Sequence, residues 1–278
     1  MDIVRTTADL RAHVRRWRQS GESVGLVPTM GGLHDGHLSL IRASKAATER
    51  TIATLFVNPA QFAPGEDLAT YPRDEARDHG LFEAEGTDLL FAPEVSTMYP
   101  DGFATQIDVG ELGTVLEGAT RPHFFAGVAT VVAKLLLQSL PDTAFFGDKD
   151  YQQLLVIRRM ALDLDIPVEI AGVETVREAD GLAMSSRNQY LSDSERTAAP
   201  ALYAAISEVA ETVGDGGNAD TACRAAQERI TGAGFDRVDY ITVRDAETLA
   251  PIDGSPRPAR VLAAAHLGRA RLIDNVAI

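Results

Sequence analysis

A single cysteine, Cys223, in 278 residues leaves no partner for an internal disulfide and no basis for a thiolate metal cluster. A reducing compartment is the expectation that follows. Lysine is scarce too: Lys45, Lys134 and Lys149 are the whole set, and arginine supplies the other basic charge. With 26 basic against 40 acidic side chains the formal charge is -14, and no basic run exceeds Arg15 and Arg16 with Arg18. Holding a nucleic-acid backbone needs a cationic footprint, so that class of partner is disfavoured. Long apolar runs are missing: the greasiest stretch, around Val128 to Leu137, is far too short to span a bilayer, and MDIVRTTADLRAHVRRW holds no apolar signal core. The expectation is a cytoplasmic chain that does not touch a membrane. Neither GxGxxG, GxxxxGK[ST] nor HExxH occurs.

What is present reads as alternating strands and helices. VGLVPT (24–29) and TIATLFV (51–57) are nearly continuous apolar runs, the pattern of parallel strands covered on both faces. DLLFAP, TAFFG (143–147) and VEIAGV (168–173) extend the series. Helices are expected over 10–17, 37–50, 74–85 and 125–140, and from DKDYQQ toward Leu162. NPAQFAPGEDLATYPR is a polar, proline-punctuated loop at a strand's C-terminal end, where open parallel sheets place ligands. Beyond READGLAMSSRNQYLS the character changes. One amphipathic helix is expected over 192–213 with Pro200 as a local boundary or kink, another over 220–230, and strands in DYITVRDA, PARVLAAAHL and RARLIDNVAI. The fold class expected is α/β: a Rossmann-like doubly wound parallel sheet over residues 1–183, with a smaller C-terminal α+β domain over 184–278.

The strongest local feature is PTMGGLHDGH (28–37). Gly31, Gly32 and Gly36 permit close backbone approach, and His34 and His37 fall at the start of a helix, where N–H groups favour phosphate charge. Imidazoles placed there can donate to phosphate oxygens and stabilise charge as diphosphate leaves. The residues alone also allow a glycine-rich turn with two surface histidines, or an HxxH metal pair whose remaining ligands are not evident.

Taken with FVNPAQF (56–62), TYPRD (70–74), RPHFFAGVATVVAKL (121–135), FFGDKDYQQL (145–154) and GLAMSSRNQYL (181–191), PTMGGLHDGH resembles the signature of the pantoate–β-alanine ligases, a family of the HIGH-type nucleotidylyltransferase superfamily. The resemblance implies that ATP and Mg²⁺ activate pantoate as pantoyl-adenylate with release of diphosphate. β-Alanine then displaces AMP to give pantothenate. A homodimer is implied as well.

Carried over residue by residue, the resemblance makes His34 and His37 phosphate-binding and transition-state residues and sets Met30 beside the adenylate-forming centre. Gln61 and Gln153 bind pantoate, a task that suits neutral amides able to donate and accept. Lys149 meets the phosphates and Asp150 the ribose, with a surface ion pair as the alternative. Ser185, Ser186 and Arg187 of MSSRN correspond to a mobile phosphate loop gripping the leaving diphosphate, unless the segment merely caps the following helix. Gly147, Gly172, Val173 and Val176 are implied on the nucleotide side, with backbone contacts at the strand end. The metal ligands are not readable. Phe62 and Phe146 either wall the substrate's methyl groups or simply belong to the core. Arg121 and His123 border the active site and pantoate region, with direct ligation and an electrostatic or structural role both open, and Asn58 is expected to shape the Gln61 loop through a local side-chain bond.

Two other classes stay open on residues alone. A nucleotidyltransferase would stop after diphosphate release, and a nonenzymatic module would bind ATP without turnover. Shielding a reactive anhydride from water further implies that the C-terminal domain acts as a lid. No dedicated base for the amine is readable.

Overall fold

Strands covered on both faces favour near-continuous apolar runs, and Val24–Thr29 and Arg50–Leu55 are buried except at Pro28, Arg50 and Leu55, with the buried hydroxyls of Thr29 and Thr51 hydrogen-bonded to the Thr54 carbonyl and to Ser44. In the computed structural model, which describes residues 1–63, 65–252 and 258–278, these two strands lie side by side at the centre of a six-stranded sheet whose pairings are all parallel. Pro64 of the NPAQFAPGEDLATYPR loop and Asp253, which closes the run after DYITVRDA, lie outside the described residues.

Chain order in the first part is β1 (Asp2–Val4), α1 (Thr7–Gln19), β2 (Val24–Thr29), α2 (Asp35–Ala47), β3 (Arg50–Leu55), α3 (Glu75–Ala84), β4 (Leu89–Phe91), α4 (Val95–Met98), α5 (Glu117–Thr120), α6 (Phe124–Ser139), β5 (Thr143–Gly147), α7 (Tyr151–Asp163) and β6 (Glu169–Val173). The sheet runs β1-β4-β3-β2-β5-β6, so the order reverses between β2 and β5. Residues alternate across it with period two. Val24, Leu26, Ile52, Ala144 and Phe146 join one core with α1, α6 and α7, while Val27, Ala53, Leu90 and Phe145 join the other with α2 and α3.

The β2–β5 ladder is short, with pairs only at Gly25↔Thr143 and Leu26↔Ala144. β2 pairs with β3 up to Thr29, and β5 with β6 up to Gly147. Pro28 has no N–H to donate, so β2 and β5 run unpaired toward their C-terminal ends. That leaves an opening in the edge at the topological switch point, the place where open α/β sheets bind ligands.

The second part continues with α8 (Asp193–Ala198), α9 (Ala201–Gly214), α10 (Ala219–Gly232), β7 (Arg237–Asp245), β8 (Ala259–Leu267) and β9 (Ala270–Ala277). β7, β8 and β9 form an antiparallel sheet with its own core from Leu202, Ile206, Val209, Ile230, Val261 and neighbours. The fold is therefore a doubly wound parallel sheet with a smaller α+β part, as the residue pattern indicated.

Two elements differ from expectation. The helix expected over 192–213 is two helices: Pro200, lacking an N–H and crowding the preceding turn, closes α8 and opens α9. The three-residue β1, on the sheet edge beside β4, is too short to show a periodicity. The compact units are Met1–Asp148 with Gln153–Glu174, and Lys149–Gln152 with Thr175–Ile278. The expected site residues fall on both.

Candidate active site

In the first unit, the turn after β2 carries the motif PTMGGLHDGH. Gly31 and Gly32 both lie in the left-handed region, at φ 87° and 63°, a pairing that side chains with a Cβ resist. The turn delivers His34 as the N-cap of α2. Gly36 N–H donates to His34 Nδ1 at 3.2 Å, and His34 N–H donates to His37 Nδ1 at 3.4 Å, giving a capping box built from two imidazoles. Their rings lie 4.1 Å apart, tilted by 43°. Because a backbone N–H can only donate, both Nδ1 atoms accept. A neutral ring then carries its proton on Nε2. The helix start thus holds a pair of Nε2–H donors in fixed orientation.

The glycine turn holds a group that its own residues do not announce. Gly32, one of the three glycines expected to let the backbone approach a ligand, donates its N–H to Asp78 Oδ2 at 2.9 Å, and the next residue, Leu33, donates its N–H to Asp78 Oδ1 at 3.1 Å. Asp78 projects from α3 and is 0% exposed. One signal was available: Asp78 lies four residues before buried Phe82, on the same helical face.

The loop after β3 forms a 3-10 turn, Pro59–Gln61, capped by Asn58. Gln61 is buried, and its Nε2 lies 3.0 Å from Met30 Sδ, so the structure brings these two expected site residues together. Asn58 shapes the turn as anticipated, accepting from Ala60 N–H and donating to Gln61 Oε1 and the Gly127 carbonyl. Arg121 braces the same loop from outside, donating to the Gln61 carbonyl at 3.1 Å and pairing with Glu66. Phe146 is a core residue at 5% exposure, whereas Phe62 stands edge-on to Tyr71 with centroids 5.9 Å apart.

Gly147 and Val173 are register partners across β5 and β6, and Gly172 pairs with Phe146. Three of the residues implied on the nucleotide side, Gly147, Gly172 and Val173, are therefore adjacent on two neighbouring strand ends. Gln153 lies in the first turn of α7, just beyond the end of β5.

In the second unit, Lys149 Nζ is 3.4 Å from Asp150 Oδ1, and the Lys149 carbonyl accepts from Asn275 Nδ2 at 3.0 Å. Met184 N–H donates to the Val176 carbonyl, and Arg177 bridges to Ala183, so Val176 is joined to the start of MSSRN. Ser185 caps a 3-10 turn over Ser186–Tyr190 by accepting from Arg187 N–H at 3.3 Å. Asn188 Nδ2 donates to the Ala183 carbonyl and to Glu178. The cap of α8 is Ser192, in a capping box with Glu195, so MSSRN does not cap that helix. Among the described residues no three His, Cys, Asp or Glu come together as a metal site, and no helix is long and apolar enough to cross a membrane.

A family model described as pantoate-beta-alanine ligase matches residues 2–277. Similar over nearly its whole length is a pantothenate synthetase of Paramagnetospirillum magneticum, 56% identical across 99% of this chain and 97% of its own. Among solved structures, the pantothenate synthetase of Thermus thermophilus superposes with a TM-score of 0.94 at 50% identity, covering 99% of both chains. The pantoate-beta-alanine ligase of Francisella tularensis, solved with β,γ-ATP and β-alanine, superposes at 0.84 with 31% identity, covering 100% of this chain and 97% of that one.

Proposed function

The chain belongs to the pantoate–β-alanine ligase family, and from that membership we propose a two-step route through pantoyl-adenylate with the paired imidazoles of α2 at its centre. The protein is an AMP-forming ligase that joins pantoate and β-alanine at the expense of ATP, giving pantothenate. In the first step a pantoate carboxylate oxygen bonds to the α-phosphorus of ATP, and the bond to the leaving diphosphate breaks. The Nε2–H groups of His34 and His37 donate to phosphate oxygens as charge builds there. Donors fixed before the reaction need no reorganisation during it.

Gln61 holds pantoate. Its Oε1 is committed to Asn58, and a thioether is only a weak acceptor, so Nε2 keeps donor capacity for the substrate's carboxylate or hydroxyl. Gln153 contacts the same acid. Gly147, Gly172 and Val173 take the nucleotide through their backbone, joined by Val176. Lys149 and Arg187 supply charge for the phosphates with the Ser185 and Ser186 hydroxyls, and Asp150 accepts from the ribose. Family membership implies use of ATP and Mg²⁺, and Mg²⁺ would offset charge on the phosphates beside Lys149 and Arg187. In the second step the neutral amine of β-alanine bonds to the acyl carbon, the bond from that carbon to the AMP oxygen breaks, and the amine's surplus proton passes to water. We also assign a cytoplasmic, homodimeric protein, which sedimentation would test as a particle of twice the chain mass.

The observation that carries this reading is the pair of Nδ1 atoms that accept from backbone N–H groups at one helix start, which in neutral rings leaves both protons on Nε2. The test is exchange of labelled diphosphate into ATP without β-alanine. Exchange that requires pantoate, and that falls about a hundredfold or more in His34→Ala or His37→Ala, is expected. Folded protein that binds ATP yet shows no pantoate-dependent exchange would remove the first step.

A further inference from the structure

We propose that Asp78 is a positioning residue for the adenylation step: its carboxylate fills the amide cradle of the glycine turn and so fixes where the two imidazoles stand. The glycine turn aims two successive N–H groups at one point, as backbone turns that receive an anion do. Here the anion is the chain's own. Both oxygens of a fully buried carboxylate are used, one on Gly32 N–H and one on Leu33 N–H. Such charge-assisted bonds are stronger than neutral ones.

Arg77 completes the grip, with Nη1 at 3.4 Å from Asp78 Oδ1 and Nη2 donating to the Leu33 carbonyl at 3.2 Å. The turn is therefore held by two amides and a carbonyl, all within the residues that lead into His34. The fit is close: a Cβ added at Gly31 would stand 2.8 Å from Asp78 Oδ2 and 2.7 Å from Leu55 Cδ1. With those amides occupied, ATP's phosphates meet the imidazole Nε2–H donors and not the backbone of the turn. Asp78 touches no reacting atom and acts only through the turn.

This inference rests on the adenylation reading above. Asp78→Asn in the full chain keeps the size of the side chain and one acceptor oxygen but turns an NH₂ toward one of the two amides. The expected result is a loss of about ten- to hundredfold in kcat for pantoate-dependent diphosphate–ATP exchange, since a misplacement near 1 Å costs that much. The pantoate KM should stay within about twofold, because Asn58 holds Gln61 Oε1 from outside the turn and Gln61 meets the turn only through the weak acceptor Met30 Sδ. Amide hydrogen exchange at Gly32 and Leu33 should quicken.

Wild-type kcat in folded Asp78→Asn, or a rise in pantoate KM that matches the loss of kcat, would overturn the inference while leaving the adenylation reading intact. A wild-type chain without exchange would overturn both. If Asp78→Asn does not fold, Arg77→Ala loosens the same grip from a side chain that is 55% exposed. It should lower kcat about threefold with pantoate KM unchanged, and an unchanged kcat there counts against the inference.

Discussion

A buried primary amide has two hydrogens and two lone pairs to satisfy, and Asn58, at 1% exposure, satisfies all of them. It donates to Gln61 and Gly127 and accepts from Ala60 N–H and, at 2.7 Å, from the Tyr99 hydroxyl. Burial pushes the Tyr99 phenol up to about 12, so it remains a neutral donor throughout the pH range in which the ligase works. Asn58→Asp keeps the shape but, when ionised, turns both donors into acceptors facing two carbonyl oxygens. The expected cost is about 2 kcal/mol by denaturant unfolding, with a pantoate KM raised about tenfold. An unchanged KM would mean that the orientation of Gln61 does not depend on Asn58. This scale also marks the reach of the sequence. His34, His37 and Gln61 stand inside motifs whose chemistry is local, so the sequence alone can put them forward as candidates. Asp78 acts 46 positions from Gly32, and nothing near it in the chain names its partner.

Between elements, the decisive approach is α6 against the turn that carries Gln61. A Cβ at Gly127 would collide with the carbonyl of Ala60 and crowd the Cα of Gln61, so the helix is seated only because this position has no side chain. Gly127→Ala must push the turn outward. A loss of about 1–3 kcal/mol in stability is expected, as for overpacked cores, with kcat/KM for pantoate falling about a hundredfold. Thermal unfolding and pantoate-varied kinetics read the two effects separately; wild-type kinetics in a destabilised variant would detach the packing from the site. The apolar helix was readable from its residues, with Gly127 near its start, but the contact spans 67 residues of chain between Ala60 and Gly127 and needs the fold to appear. Elements with strong periodicity, such as β2, β3 and α6, were legible for the same reason that β1 was not: a three-residue strand holds too little pattern.

At the scale of the whole chain, two parts of different architecture were legible from the change in pattern after GLAMSSRNQYL. The inclusion of Lys149–Gln152 in the second unit was not. It rests on contacts distant in sequence: Asn275 to the Lys149 carbonyl, the Tyr151 hydroxyl to the Ala246 carbonyl, and Arg260 stacked 3.9 Å over the Tyr151 ring. Composition speaks most directly through charge. The chain carries -14, and both ATP and pantoate are anions, so the net field opposes their approach while a few fixed donors must hold them. At about 0.01 M salt the screening length is near 30 Å and most of the acidic surface acts on an arriving substrate; at about 0.15 M it is near 8 Å and only the nearest groups do. Raising NaCl between those limits at fixed Mg²⁺ should therefore increase kcat/KM for ATP about two- to threefold, opposite to the response of a protein that steers anions with a basic surface. A fall over the same range would show that Lys149, Arg187 and their neighbours outweigh the rest of the chain at a distance, and that ATP is drawn in from afar, not merely held on arrival.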